Sequence, residues 1–145
     1  MFHGLNSHVG HGAHLAEMLS QKGYTTVGYD YRGFGRSEGK GGYVESLDKH
    51  IEEAVYFVRT ISKFPEYINV PKFALGLSMG GMTVYHLSLR YPELFKGVIL
   101  MAPAIMHSLS SGLVSMTKIV GKIIPDKMGL IKPVYGRATR NPQIT

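Results

Sequence analysis

The sequence predicts an α/β domain built on a parallel sheet flanked by helices. Three observations lead there. Strand-like and helix-like segments alternate as far as residue 101, and an amphipathic helical period runs from Leu47 to Ile61. Val98 to Met101 is a near-continuous apolar run of the kind buried on both faces of a parallel sheet.

The elements follow in chain order. Leu15, Met18 and Leu19 share one helical face, and Lys22-Gly23 ends that helix, because a basic residue followed by glycine suits a helix C-terminus. Tyr24 to Tyr29, β-branched and aromatic, reads as a strand. Leu47, Ile51, Ala54, Val55, Val58 and Ile61 recur at helical spacing with Asp48, Lys49, Glu52, Glu53 and Arg59 mostly opposite, as in a surface helix covering a sheet. Phe73 to Leu77 is the next strand, Met79 to Tyr91 a helix ended by Pro92, and Val98 to Met101 the last strand. Strands joined through helices pair in parallel by right-handed crossovers. After Pro103 the chain becomes Ser-rich, Gly-punctuated and basic, with Leu109, Leu113, Val120, Ile123 and Ile124 at roughly helical spacing and no evident strand.

The pentapeptide Gly76-Leu77-Ser78-Met79-Gly80 directly follows Phe73-Ala74-Leu75. A serine between glycines on a strand-to-helix turn reads as a nucleophile elbow, in which larger neighbours would collide with the strand or helix leaving the turn. The expected nucleophile is Ser78. Serine becomes reactive when an imidazole takes its proton and a carboxylate fixes that imidazole, in the chain order serine, acid, histidine. Downstream lie Glu93, Asp126, His86 and His107. His86 falls more than two turns into the elbow helix and Glu93 at its end, so both read as structural; His107 and Asp126 stand in the reverse order. No downstream pair fits.

Four blocks, His3-Gly4-Leu5-Asn6-Ser7-His8, Asp30 to Gly39, Gly76 to Gly81 and Val98 to Pro103, resemble in order and spacing the monoacylglycerol-lipase-like branch of the α/β-hydrolases, the serine aminopeptidase S33 or lysophospholipase type. The resemblance is tight over residues 3 to 104 and looser beyond. It implies a partial hydrolase core at 1–104, a partial helical cap at 105–145, and a family domain that extends past this chain at both ends. It implies that the catalytic acid and histidine are not present in this chain. The oxyanion donors it implies are the backbone N–H groups of Leu5 and Met79, supported by His3, Gly4, Gly76, Gly80 and the strand-end turn that starts at Asp30. The strand entering His3-Gly4 would lie between Tyr24–Tyr29 and Phe73–Leu77, with only Met1 and Phe2 left to fill it. The implied substrate is an acylglycerol or another fatty-acyl ester, and no cofactor is implied.

Composition narrows the alternatives. The chain of 145 residues has 44% hydrophobic and 18% charged residues, which suits one globular domain. No apolar stretch is long enough to span a bilayer, no signal peptide is visible after Met1, and there is no cysteine for disulfide or thiolate chemistry, so a cytoplasmic location is expected. Of the net charge of +6, +5 resides in the tail, where residues 103–145 carry six basic side chains against Asp126. A single tyrosine, Tyr135, accompanies them, so nucleic acid is not the expected partner. Lys118, Lys122, Lys127 and Lys132 beside the apolar positions fit two readings equally, a lid that rests peripherally on anionic lipid and a cap that simply packs on the sheet.

His8, His11 and His14 invite a zinc reading, but Gly10 and Gly12 oppose a helix that would converge them, and no metal site is expected. Gly33-x-Gly35 hints at a dinucleotide fingerprint, yet Glu38 stands where the third glycine should be and a loop follows instead of a helix. The competing functional reading is a noncatalytic α/β-hydrolase-like protein, or a truncated gene product, that acts by interaction.

Overall fold

Helical periodicity placed the helices well, and their ends show why. The structure, a computed structural model, describes residues 1–105; the cap, its apolar and lysine positions, His107 and Asp126 lie outside the described residues. Helix α1 is Ala13–Ser20. It ends at Gly23, whose φ of 83° only glycine adopts freely and whose N–H donates to the Ser20 carbonyl at 2.9 Å. Before α1, Val9–Gly12 forms one 3₁₀ turn capped by the His8 imidazole, which accepts from the Gly10 N–H at 3.2 Å. The two glycines thus exclude an α-helix there but still permit this tighter turn.

Helix α2, Leu47–Ile61, starts at Ser46, whose hydroxyl accepts from the Lys49 N–H at 3.2 Å. Its inward stripe buries Ile51, Ala54, Val55 and Val58, and also His50. Strand β1 is Phe73–Leu77, helix α3 is Met79–Arg90, and strand β2 is Gly97–Met101. Pro92 opens a short 3₁₀ turn, Pro92–Leu94, after α3 has stopped. The strands pair in parallel, Phe73 opposite Gly97 through Leu77 opposite Met101, with α3 packed on both and α2 on α3. Tyr31, Ile51, Thr83, Val84 and Leu87 are the largest fully buried side chains, so the core lies between the two helices and the sheet.

Two expectations need correction. Tyr24 to Tyr29 forms no strand, because a strand needs a partner ladder and only Met1 and Phe2 stand between this segment and β1. Those two residues do bridge the gap at one point. The Phe2 N–H donates to the Leu75 carbonyl at 2.8 Å, the Leu77 N–H donates to the Phe2 carbonyl at 3.2 Å, and the Met1 amino group reaches the Val27 carbonyl. Second, Val98 to Met101 is not buried on both faces: its four side chains are 36–53% exposed. Among the described residues β2 pairs only with β1, which leaves its outer edge open.

Candidate active site

Ser78 occupies the step from β1 to α3 with φ 54° and ψ −114°, a backbone conformation that costs a non-glycine residue roughly 1–3 kcal/mol. Surrounding bonds hold it there. The Ser78 N–H donates to the Met101 carbonyl at 2.9 Å, and the Ser78 carbonyl accepts from the N–H groups of Met82 and Ala104, each at 3.0 Å. The elbow is thereby tied to its own helix and to the turn after β2.

The flanking glycines are required by space. A Cβ on Gly76 would strike the Gly80 carbonyl, and one on Gly80 would strike the backbone of Phe2 and His3. A Cβ on Gly81 would come within 2.8 Å of the Pro103 Cα. Gly4 differs: its Cβ would sit in ordinary contact, 3.5 Å from the Ser78 Cβ, so its interest is that it brings the first turn of the chain against the serine.

That turn is aimed by His3, which is buried at 7% exposure. Its Nδ1 lies 2.8 Å from the Gly4 carbonyl oxygen, and its Nε2 lies 3.0 Å from the Tyr31 N–H. Only one tautomer serves both: Nδ1 carries the proton and donates, while Nε2 accepts. Burial lowers the His3 pKa, opposed by the bond to Gly4 and the charge of Asp30, which agrees with a neutral ring. In a trans peptide C=O and N–H point in opposite directions, so gripping the Gly4 oxygen orients the Leu5 N–H that shares its plane. With both nitrogens engaged, His3 is a support and not a base for Ser78.

Met79 is the first residue of α3, where an N–H has no carbonyl one turn back to receive it. Among the described residues neither the Leu5 nor the Met79 N–H donates to a backbone carbonyl. Leu5 is 48% exposed and Asn6 follows at φ 53°, an open, tightly turned loop.

Asp30 links that loop region to the 30–39 turn. One carboxylate oxygen accepts from the Val9 N–H at 2.7 Å and the other from the Arg36 N–H at 2.8 Å, while its carbonyl accepts from the Ser37 hydroxyl at 2.5 Å. Burial opposes ionisation, but the two N–H donors outweigh it and hold the carboxyl below its ordinary value of 3.8. Gly35, at φ 56°, leaves room for that carboxylate where a Cβ would lie, so the Gly-x-Gly pair serves the Asp30 turn. Because the folded pKa is depressed, the stabilisation is present above about pH 4 and is lost as pH falls below it. Asp30→Asn turns an NH₂ toward one of the two donors and is expected to cost about 1–2 kcal/mol in urea unfolding at pH 7. The variant should also lose part of the acid dependence below pH 4; an unchanged acid limb would contradict the assignment.

The remaining histidines do not reach the serine. His8 caps the 3₁₀ turn and stacks on His11 at 4.0 Å, His11 Nδ1 is 2.8 Å from the Ser7 hydroxyl, and His86 packs against Tyr85 on α3. Among the described residues no hydrogen bond reaches the Ser78 hydroxyl, and no group of three metal-ligating side chains converges. The sequence reading missed His50, Thr83 and Tyr31, a buried polar cluster beneath the elbow. Its signal was present: His50 is three residues after Leu47 and four before Ala54, on the stripe that faces inward.

Known proteins resemble this chain along most of its length. The chain matches the family described as serine aminopeptidase, S33, over residues 1–143. It is 31% identical to a monoacylglycerol lipase of Mycolicibacterium smegmatis, covering 85% of this chain and 44% of the relative. It is 32% identical to the monoglyceride lipase of Rattus norvegicus, covering 86% of this chain and 41% of that protein. The crystal structure of Paleococcus ferrophilus monoacylglycerol lipase superposes with a TM-score of 0.67 at 28% identity, over 86% of this chain and 46% of that one. The chain therefore spans less than half the length of the curated relatives it matches. A Gly-x-Ser-x-Gly turn between a parallel strand and its helix, and a match along nearly every residue, place the chain in the serine aminopeptidase S33 family of α/β-hydrolases, on its monoacylglycerol-lipase-like branch.

Proposed function

We propose that this chain carries the nucleophile and oxyanion half of a serine hydrolase that cleaves fatty-acyl esters of the acylglycerol type. The observation that carries the reading is Ser78, held at φ 54° on the elbow with Gly4 packed against it. In this reading the Ser78 hydroxyl attacks the acyl carbonyl and loses its proton to an imidazole. The carbonyl oxygen gains the negative charge and is received by the Leu5 and Met79 N–H groups, the second at the positive end of the α3 dipole. The alcohol, glycerol in the case of a monoacylglycerol, leaves with a proton, and water then releases the fatty acid from the serine ester. In this reading the imidazole and its carboxylate are not among the residues of this chain. In the same reading the sequence of residues 105–145 supplies the start of a cap, and its lysines are offered to the lipid that supplies the substrate.

The noncatalytic reading is favoured by one observation, the absence of any base hydrogen-bonded to Ser78 among the described residues. A fluorophosphonate probe separates the two. Covalent labelling of Ser78 in a longer chain that carries the histidine and acid in the family order, lost in Ser78→Ala, is the expected result. A folded longer chain that takes up no probe would support a role in interaction alone.

A further inference from the structure

Below the elbow, three elements meet at one hydroxyl. Thr83 Oγ1 on α3 donates to the Met79 carbonyl at 2.9 Å, lies 2.8 Å from His50 Nε2 on α2, and receives the Tyr31 hydroxyl at 3.5 Å. A hydroxyl has one proton, and here it is spent on Met79, so the proton between Thr83 and the histidine sits on His50 Nε2. Tyr31, 1% exposed, is clamped between two imidazoles, with the His50 ring 4.4 Å from its own and the His3 ring 4.1 Å away. Its N–H ends on His3 Nε2, and His3 holds the Gly4 oxygen. Met79 and the Gly4–Leu5 peptide, the two carriers of the candidate oxyanion donors, are thus joined through a single buried cluster.

We propose that His50 and Thr83 are positioning residues for the oxyanion turn, setting the pose of the Leu5 and Met79 N–H groups from behind the elbow through Tyr31 and His3. The importance of that pose rests on the proposed function; the coupling itself does not. Burial makes it two-ended: Tyr31 is in ring contact with both imidazoles, so a shift of the His50 ring is passed to His3. The cluster also responds to acid. Burial lowers the His50 pKa from 6.5; Glu53, one turn along α2 and paired with Arg32 at 2.7 Å, opposes this, and His3 adds to it. Tyr31 and Thr83 are the other groups that face the ring. The neutral, bonded cluster is therefore complete above the unfolded value of about 6.5, and acid below that favours the state in which the histidine is charged and released.

The test uses the 145-residue chain with ¹⁵N-labelled histidine and backbone. A long-range ¹H–¹⁵N spectrum is expected to show His50 protonated on Nε2 and His3 on Nδ1. Thr83→Val and His50→Leu, which keep volume and remove the bond, should displace the Leu5 and Met79 amide resonances, and in a longer chain that carries the histidine and acid they should slow fluorophosphonate labelling of Ser78 on the order of tenfold. Thr83→Ser restores the hydroxyl, and His50→Gln restores an N–H near the Nε2 position, so both should recover the native resonances. His50→Gln should also reduce the movement of the Leu5 amide between pH 7 and pH 5, leaving the part that the His3 ring itself contributes. Leu5 and Met79 amides that stay in place in Thr83→Val, or a His50 protonated on Nδ1, would overturn the proposal. If Thr83→Val does not fold, the wild-type tautomers and the pH response of His50→Gln decide alone. Failure of the longer chain to label, with the amide shifts as expected, would strike the hydrolase reading and leave the coupling standing.

Discussion

The 145-residue chain by itself is expected to show little or no Ser78-dependent turnover of a short p-nitrophenyl ester or of a monoacylglycerol. Without an imidazole at the Ser78 hydroxyl, the nucleophile remains protonated, and losing the base of a serine triad costs about 10⁶ in kcat. What survives is the contribution of the oxyanion donors and of binding, about 10³–10⁴-fold over water. A longer chain that carries a histidine and an acid after residue 145 in the family order should recover activity, and Ser78→Ala should abolish it there. The comparison needs all three proteins, since hydrolysis that persists in Ser78→Ala is background. Robust Ser78-dependent turnover by the short chain would overturn the argument and would assign the base to His86, His107 or His8.

The second large effect is on folding. Gly76→Ala and Gly80→Ala should each cost about 3 kcal/mol or more, because each new methyl meets backbone atoms that cannot move away as a side chain could. For a domain with stability of about 5–15 kcal/mol, that is a large fraction of the total. Two other glycines calibrate the measurement. Gly41 has nothing within 4 Å of its Cβ position, so Gly41→Ala should fall within about 0.5 kcal/mol of wild type. Gly23 is equally open but has φ 83°, so Gly23→Ala should cost about 1 kcal/mol from backbone strain alone. Urea midpoints that rank Gly76 and Gly80 with Gly41 would mean that the elbow is looser than its geometry.

These glycines also show what a sequence reveals. The need for a missing Cβ at Gly76 and Gly80 arises within a few residues, so the pentapeptide announces it. Helix α2 was legible for a similar reason, since its period and its Ser46 cap are local. Tyr24 to Tyr29 has good strand composition yet forms no strand, because pairing depends on a partner that composition does not reveal. Val98 to Met101 reads as buried, but burial is decided by what covers it, and among the described residues one edge is bare. Asp30 and His3 were reached through family resemblance; their bonds to Val9, Arg36 and Tyr31 join positions up to 28 residues apart, beyond the reach of periodicity. His50 was readable on the inward stripe, though its partner Thr83, 33 residues away, was not.

The bare edge of β2 sets up a race. Among the described residues its apolar strand is paired along one side alone, and to an open row of N–H and C=O groups any strand of suitable shape can add. A strand on the same polypeptide arrives at a fixed effective concentration, whereas one on a neighbouring molecule arrives in proportion to how much protein surrounds it. The same five residues that anchor the elbow through Met101 thus act as a kinetic branch point, at which dilution favours a completed monomer and crowding favours association.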